Sequence, residues 1–292
     1  MILNTATLIA LRTVLKTSFQ NAFKGVEPLY KLVAMTTTST TSRETYGWMG
    51  GLPQIREWIG ERQVKNLEAF DYTLKNRKFE LTIGVKRDDI ADNTLAGYGI
   101  TAADFGDKAA KYPDRLIWDV VKNGHQNLCY DGQYFFDVDH PVNGASVSNS
   151  LAGGQTPWFL LDLSGVVKPF LFQEREAFDF VALDRVDDPN VFLKEEFIYG
   201  TRGRMAAGYG LWQLAIRSAA TLDAAGFEAA RIAIQAFKDN EGELLGVKPT
   251  HLVVPPALET AARLLIESPF TAPGVANPYF GAVKVVVAPL LG

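Results

Sequence analysis

The sequence contains few of the residues that form disulfides and metal cages. Cys129 is the single cysteine, and only three histidines occur among 292 residues. One cysteine cannot form an intramolecular disulfide, and it cannot supply a thiolate-rich metal site from this chain. The composition therefore excludes a disulfide-stapled secreted domain and favours a reducing compartment.

Long apolar runs and common enzyme motifs are also missing. No stretch reaches the roughly 18 apolar residues that a membrane-spanning helix needs, and no basic region precedes the apolar residues after Met1. We therefore expect a soluble protein of the cytosol. The sequence has no Gly-x-x-x-x-Gly-Lys phosphate loop and no Gly-x-Ser-x-Gly elbow. Gly97 to Ala102 matches a dinucleotide fingerprint by letter, but a turn precedes it where a buried strand is required, so we interpret it as a helix-entry loop.

The chain is mildly acidic. It carries 29 lysines and arginines against 33 aspartates and glutamates, a formal net charge of -4 at pH 7. That balance does not fit a protein that neutralises many phosphates along a nucleic-acid duplex. With 47% hydrophobic residues, the composition is typical of a folded protein with a full core.

Two segments have helical periodicity. The first is N-terminal, with apolar residues every three or four positions: Leu8, Leu11, Leu15 and Phe19. This pattern predicts an amphipathic helix. A second apolar stripe predicts helix over about 101–123, with Pro113 inside it. Because proline removes a main-chain donor, that segment should be either one kinked helix or two helices.

Other segments have the pattern of extended chain. The Thr/Ser run 36–42 is predicted as an extended connector. Alternating apolar residues on both sides of Asn76-Arg77 predict a β-hairpin about that turn. Short β-like runs over 157–200, including Val191–Leu193, predict sheet, and the chain from Thr221 alternates between helix and strand. The sequence therefore predicts a protein of mixed α and β structure.

The most enzyme-like cluster comprises His125, Cys129, Asp131, Asp137, Asp139 and His140. Imidazole, thiolate and carboxylate groups bind zinc and iron, and a thiol beside an imidazole can act as a nucleophile. Helical His-x-x-x-His spacing is missing, however, and Asp-Gly and His-Pro are ordinary turn formers. A structural role is therefore favoured, and a metal or thiol site is the alternative.

Tryptophan and arginine are concentrated in a segment whose pattern suits neither a helix nor a strand. The residues are Trp48, Arg56, Trp58 and Arg62. Aromatic and arginine side chains are the favoured anchors of protein–protein contacts. We interpret this segment as a projecting loop that contacts another protein, and local packing at the base of the loop is the alternative.

Several separated motifs, in the same order and over nearly the whole chain, resemble the major head subunit of Mu-like phages and prophages. The motifs are Tyr46-Gly-Trp48, Leu52-Pro53, Arg56-Glu-Trp58-Ile-Gly-Glu-Arg62, Arg87-Asp-Asp89, Tyr130-Asp-Gly-Gln-x-Phe-Phe136, Asp139-His-Pro141, Lys168-Pro-Phe170, Phe172-Gln-Glu-Arg175, Ala207-Gly-Tyr-Gly210 with Trp212, Lys248-Pro-Thr-His251 and Val253-Val-Pro255. Their number and order make this resemblance far more specific than any single pattern above.

The resemblance implies an α+β fold of the Hong Kong 97 type, which tailed-phage shells and encapsulins share. The implied parts are an N-terminal arm (1–43), an extended loop with a β-hairpin (44–88), a peripheral domain (89–218) with a spine helix at about 101–123, and an axial domain (219–292). A structural protein with no reaction, cofactor or metal is implied, so the Asp131 to His140 motif would be structural.

The resemblance also implies the function and the partners. Subunits would assemble as hexamers and pentamers into an icosahedral head shell around phage DNA, with Trp48, Arg56, Trp58 and Arg62 between subunits. Partners would be further copies of the chain, a scaffold, a portal and decoration or head-completion proteins, with weak DNA contact and no membrane. The location would be the virion capsid, after assembly in the bacterial cytoplasm. The alternatives are an encapsulin-like cargo shell and, from a different class, a metal- or thiol-dependent hydrolase using His125, Cys129 and His140.

Overall fold

A computed structural model describes residues 4–47, 72–92 and 96–292. Seven α-helices lie within these ranges: α1 (Thr5–Lys24), α2 (Tyr30–Val33), α3 (Arg87–Ala91), α4 (Ala96–Lys122), α5 (Pro189–Lys194), α6 (Ala224–Gln235) and α7 (Glu259–Ile266). The same ranges contain 15 β-strands: β1 (Ala34–Thr38), β2 (Arg43–Thr45), β3 (Thr73–Lys75), β4 (Arg77–Lys86), β5 (His140–Val142), β6 (Ala145–Val147), β7 (Ser150–Leu151), β8 (Trp158–Leu161), β9 (Phe170–Leu183), β10 (Glu196–Tyr209), β11 (Ala215–Ser218), β12 (His251–Val254), β13 (Phe270–Ala272), β14 (Val275–Ala276) and β15 (Lys284–Val287). None of the helices in these ranges is long and apolar enough to cross a membrane.

The N-terminal helix α1 packs against the long helix α4. The buried face of α1 is the one that its periodicity predicts: Leu8, Leu11, Leu15 and Phe19. At its N-terminus, Oδ1 of Asn4 accepts a hydrogen bond from the main-chain N–H of Thr7 over 2.9 Å, which satisfies one of the unpaired donors of the first turn. The two helices approach closely at Gly106, where a Cβ would overlap the carbonyl oxygen of Phe19.

The helix predicted at about 101–123 is present as the single helix α4, with Pro113 inside it. Phe105 is buried before the proline, and Ile117 is buried after it. Packing on both sides therefore holds the helix together where proline removes one main-chain hydrogen bond. Gly97 and Gly99 lie within α4 and not in an entry loop, so this sequence lacks the strand-turn-helix setting of a dinucleotide site.

One sheet has four strands in the order β1-β9-β10-β4. The long strands β9 and β10 are antiparallel, with Tyr209 opposite Phe170 and Ile198 opposite Leu183. Strand β1 joins β9 in parallel, and β4 joins β10 in antiparallel orientation. Helix α4 packs against β9 and β10.

A second sheet has five strands in the order β15-β12-β8-β11-β7. The predicted strands β12 and β15 pair in parallel, and β12 also pairs with β8, which lies about ninety residues earlier in the chain. The sheet therefore combines β7, β8 and β11 with the C-terminal layer. The main core contains residues of both sheets, of α4 and of the turn that joins β10 to β11; its buried tryptophans include Trp118 of α4, Trp158 of β8 and Trp212 of that turn.

The prediction of a β-hairpin about Asn76-Arg77 is wrong. Strand β3 pairs with β2, where Thr73 lies opposite Thr45, whereas β4 pairs with β10. Asn76 is buried, and its Nδ2 donates to Oγ of Ser39 over 2.7 Å. The alternating pattern correctly indicated strands, but the partner of each strand is distant in the sequence and could not be chosen from local residues.

Two other local predictions also differ from the structure. Val191–Leu193, predicted as strand, lies in helix α5, whose first residue is Pro189; the fixed φ of proline suits the first turn of a helix. The run 36–42, predicted as a connector, contributes Thr36–Thr38 to β1, where main-chain pairing with β9 supports polar side chains in a strand.

Candidate functional site

The segment that carries the predicted contact residues connects β2 to β3. Trp48, Arg56, Trp58 and Arg62 lie outside the described residues. Both ends of the segment are described, and the main-chain N–H of Tyr46 donates to the carbonyl oxygen of Tyr72 over 2.8 Å. Tyr46 and Tyr72, which lie on either side of the segment in the sequence, are therefore neighbours in space.

Two tyrosine hydroxyls attach these ends to the four-stranded sheet. The Tyr46 hydroxyl donates to Oε1 of Gln173 in β9 over 2.8 Å, and it lies 2.7 Å from Oγ1 of Thr37. The Tyr72 hydroxyl accepts a hydrogen bond from the main-chain N–H of Tyr209 in β10 over 2.9 Å. Burial raises the pKa of both tyrosines, so both hydroxyls stay protonated at neutral pH.

The side-chain amide of Gln173 contacts both strands of the β2–β3 ribbon. Besides accepting from Tyr46, it donates from Nε2 to Oδ1 of Asn76 over 2.8 Å and to the carbonyl oxygen of Leu74 over 3.3 Å. Gln173 is fully buried, so each of these bonds replaces a bond to water that the amide has lost. We call Tyr46, Tyr72, Leu74, Asn76 and Gln173 the root.

The structure brings together three of the six residues of the enzyme-like cluster. Ligand atoms of Cys129, Asp131 and His140 lie within 4.8 Å of one another. The Cys129 thiol donates to Oδ1 of Asp131 over 3.1 Å, and Nδ1 of His140 lies 2.7 Å from Oδ2 of Asp131. These are the residues that could hold a metal ion, but their internal hydrogen bonds already use the atoms that would bind it.

His140 is enclosed on all sides. Its Nε2 lies 3.2 Å from Oδ1 of Asn149, and the amide of Asn149 is oriented by a 2.8 Å hydrogen bond from Nδ2 to the carbonyl oxygen of Phe135. The imidazole stacks on the ring of Trp212, with centroids 4.0 Å apart and planes at 11°. Each ring nitrogen therefore faces an oxygen atom, and His140 is fully buried, so neither face of its ring is open to a substrate.

The electrostatics of the cluster oppose nucleophilic chemistry. Burial, together with the negative charge of Asp131, raises the pKa of the Cys129 thiol. Burial alone would raise the pKa of Asp131 as well, but hydrogen bonds from His140 and Cys129 outweigh that effect and hold it below its usual value. The result is a protonated thiol beside an ionised carboxylate, whereas a nucleophilic cysteine needs its thiolate form.

The other members of the cluster lie elsewhere. His125 is outside the group formed by Cys129 and His140; its Nδ1 lies 3.1 Å from the carbonyl oxygen of Lys122. Asp137 accepts hydrogen bonds from the main-chain N–H groups of Tyr134 and Val138, and Asp139 is exposed. The catalytic set His125, Cys129 and His140 is therefore not assembled. Sequence reasoning missed Asn149 and Trp212 as partners of His140, and no local pattern marks them.

Comparison with known proteins identifies relatives over the full length of the chain. The family model described as "Mu-like prophage major head subunit gpT" matches residues 8–291. The major capsid protein of Escherichia phage Mu is 39% identical over 100% of both chains. The Mu-like prophage FluMu major head subunit of Haemophilus influenzae is 35% identical over 86% of this chain and 85% of that protein.

Solved structures of bacteriophage JBD30 shells have the same fold. The procapsid subunit is 38% identical and superposes with a TM-score of 0.88, covering 99% of this chain and 100% of that one. The capsid subunit is 29% identical, with a TM-score of 0.82 and full coverage of both chains. The subunit in the capsid decorated with minor capsid protein trimers is 30% identical, with a TM-score of 0.79 over 90% of this chain and 91% of that one.

The described helices and sheets thus form the α+β fold of phage capsid subunits, and the phage Mu protein and the JBD30 procapsid subunit match 100% and 99% of the chain. The protein belongs to the family of Mu-like prophage major head subunits.

Proposed function

We propose that copies of this chain assemble as hexamers and pentamers into the icosahedral head shell of a Mu-like phage or prophage, around its DNA. The observation that carries the proposal is the match, over 99% of this chain, to the JBD30 procapsid subunit at 38% identity. The formal net charge of -4 supports only weak contact with packaged DNA, since like charges repel. The location is then the virion capsid, after assembly in the bacterial cytoplasm.

The proposed domain map has an N-terminal arm (1–43), an extended loop (44–88), a peripheral domain (89–218) with α4 as its spine helix, and an axial domain (219–292). The sheet topology supports one change to it. Strands β7, β8 and β11 share a sheet with β12 and β15, so we include residues 150–161 and 215–218 in the axial domain. The extended loop then consists of the β2–β3 ribbon, the segment 48–71 and strand β4.

Trp48, Arg56, Trp58 and Arg62 are proposed to contact neighbouring subunits. Their residue types support this role, because tryptophan and arginine carry much of the binding energy at protein interfaces. The root supports it as well, since it anchors both ends of their segment to the sheet. Further proposed partners are a scaffold, a portal and decoration or head-completion proteins.

No enzymatic activity or bound cofactor is proposed. The hydrolase alternative is not proposed, because it needs His125, Cys129 and His140 in one place, and His125 does not lie beside the other two. The encapsulin-like alternative is not favoured, because the full-length relatives are phage head proteins.

Negative-stain electron microscopy of the purified full chain at high concentration, with and without co-expressed neighbouring genes, tests the assembly. We expect closed shells or capsomer rings, and a uniform monomer under every condition would contradict the proposal. A variant combining Trp58→Ala with Arg62→Ala tests the contact residues and should fail to assemble. Gln63→Ala, a change at the adjacent position, is the matched control and should assemble normally.

A further inference from the structure

The β2–β3 ribbon is too small to hold its own position. Each strand has three residues, and each strand's partner in the described structure is the other. An isolated two-stranded ribbon is at best marginally stable in water. The position of the ribbon must therefore come from contacts outside it.

The root supplies those contacts. Gln173 lies in β9, where it is paired on both sides, with Thr37 of β1 and Ala206 of β10. Its backbone is thus fixed, and its amide reaches Tyr46 at the end of β2 and Leu74 within β3. One buried side chain therefore joins both sides of the ribbon to a central strand of the sheet.

The ribbon is also held through β10. Tyr72 accepts the main-chain N–H of Tyr209, and Gly208 next to it leaves the space for the ribbon: a Cβ there would come within 2.7 Å of the Tyr72 hydroxyl and 2.5 Å of Leu74. Asn76 extends the network to Ser39, whose hydroxyl donates to Oε1 of Glu44 over 2.8 Å. The root therefore holds each end of the segment 48–71 by a separate set of bonds.

We propose that Gln173 and the root are positioning residues for assembly, which set the place and direction of the segment 48–71 before it meets the neighbouring subunit. This inference depends on the proposed function of that segment as an inter-subunit contact. A ribbon that is already fixed to the sheet loses less conformational freedom on assembly than a loose ribbon, so a rigid root raises the affinity between subunits without adding a contact.

Gln173→Met tests this directly, because it keeps the shape of the side chain and removes its hydrogen bonds. We expect a folded subunit, with one cooperative thermal transition, that needs a roughly tenfold higher concentration to assemble, which corresponds to about 1.4 kcal/mol. Gln213→Met is the matched control, because Gln213 also bonds a tyrosine hydroxyl, that of Tyr130, over 3.0 Å. This control should assemble at the wild-type concentration.

A disulfide within the ribbon separates positioning on the sheet from the stability of the ribbon itself. Thr45 and Thr73 lie opposite each other, with their hydroxyl oxygens 2.9 Å apart. The substitutions Thr45→Cys and Thr73→Cys, added to Gln173→Met and oxidised to a disulfide, join the two strands to each other but not to the sheet, so they should leave the assembly defect of Gln173→Met in place. If Gln173→Met does not fold, Tyr46→Phe, which removes one oxygen atom, replaces it in the same experiment.

Wild-type assembly by folded Gln173→Met subunits would overturn the inference, and so would full assembly restored by the disulfide, which would show that the root only holds the two strands of the ribbon together. The Trp58→Ala, Arg62→Ala variant is measured in parallel. If that variant assembles normally, the proposed contact itself is wrong. If it fails to assemble while Gln173→Met assembles normally, the contact stands and the positioning role of the root is wrong.

Discussion

Gly106 of α4 lies directly against the carbonyl oxygen of Phe19 in α1. No side chain separates the two backbones at this point, so the helices can approach more closely than any other residue would allow. The contact joins the N-terminal helix to the long helix on which the four-stranded sheet packs.

Gly106→Ala should therefore destabilise the subunit by about 1–3 kcal/mol, since the added methyl group has no space. Gly99→Ala in the same helix is the control, because no atom of the described residues lies within 4 Å of a Cβ at that position. It should stabilise the protein by about 0.5–1 kcal/mol through better helix propensity. Urea unfolding measures both changes, and equal effects from the two variants would contradict the close contact.

Asp114, a residue of α4, should stabilise the N-terminus of the neighbouring helix α2. Its carboxylate accepts the main-chain N–H groups of Tyr30 over 2.5 Å and Leu29 over 3.2 Å. Asp114→Ala should cost about 1–2 kcal/mol, as the loss of a helix cap does.

Asp107→Ala is the control for Asp114→Ala, because Asp107 lies in the same helix and forms an exposed pair with Lys111. It should change the free energy of unfolding by less than about 0.5 kcal/mol. Urea unfolding again provides the measurement, and a similar loss in the two variants would show that Asp114 does not cap α2.

Asp131 should make stability depend on pH in the acid range. Its folded pKa is below the usual value, so the ionised form stabilises the fold above pH of about 4, and this stabilisation is lost as the pH falls through the folded pKa. Asp131→Asn should cost about 1–3 kcal/mol at pH 7, because the buried Cys129 thiol and His140 imidazole lose their carboxylate hydrogen-bond partner. The difference from the wild type should become smaller below pH 4.

Urea titrations at several pH values test the Asp131 prediction. Asp139→Asn, a change of an exposed carboxylate in the same segment, should stay within about 0.5 kcal/mol of the wild type at each pH. A wild-type advantage over Asp131→Asn that is the same at pH 7 and pH 3 would show that ionised Asp131 does not stabilise the fold.

Cys129 should be unreactive in the folded subunit. It is buried, and its thiol pKa is raised by burial and by the charge of Asp131, while thiol reagents react with the thiolate. A chromogenic disulfide reagent at pH 7 should modify Cys129 in urea-unfolded protein and leave the native protein unmodified over the same time. Rapid native modification, or about one metal ion per purified subunit, would instead support the thiol or metal alternative.

Local patterns predicted the segments that pack through their own periodicity. Helix α1 follows from four apolar residues at helical spacing, and β12 and β15 follow from short apolar runs. The prediction of a hairpin about Asn76-Arg77 was wrong because β3 and β4, which are adjacent in the sequence, pair with two different strands, β2 and β10. The strand predicted at Val191–Leu193 was wrong because three consecutive apolar residues fit a strand and a short helix equally well.

For the candidate sites as well, the sequence showed the residue types, and only the structure showed their contacts. The residue types of the Cys129–His140 cluster were visible in the sequence, but its hydrogen bonds depend on Asn149 and Trp212, which the second sheet and its connections bring to His140. No pattern in the sequence around Gln173 indicates its role, because its amide donates hydrogen bonds to residues about one hundred positions earlier in the chain.

The sequence by itself determined the family, through motifs in a fixed order along the chain, and the main helices, because side-chain periodicity is a local property. It also determined the tryptophan and arginine content of the segment 48–71. Only the tertiary structure decided which strands pair, that His125 is apart from Cys129 and His140, and that Gln173 joins both ends of that segment to the sheet. The physical reason is that strand partners and buried hydrogen bonds are selected by contacts between distant residues, which no local pattern contains.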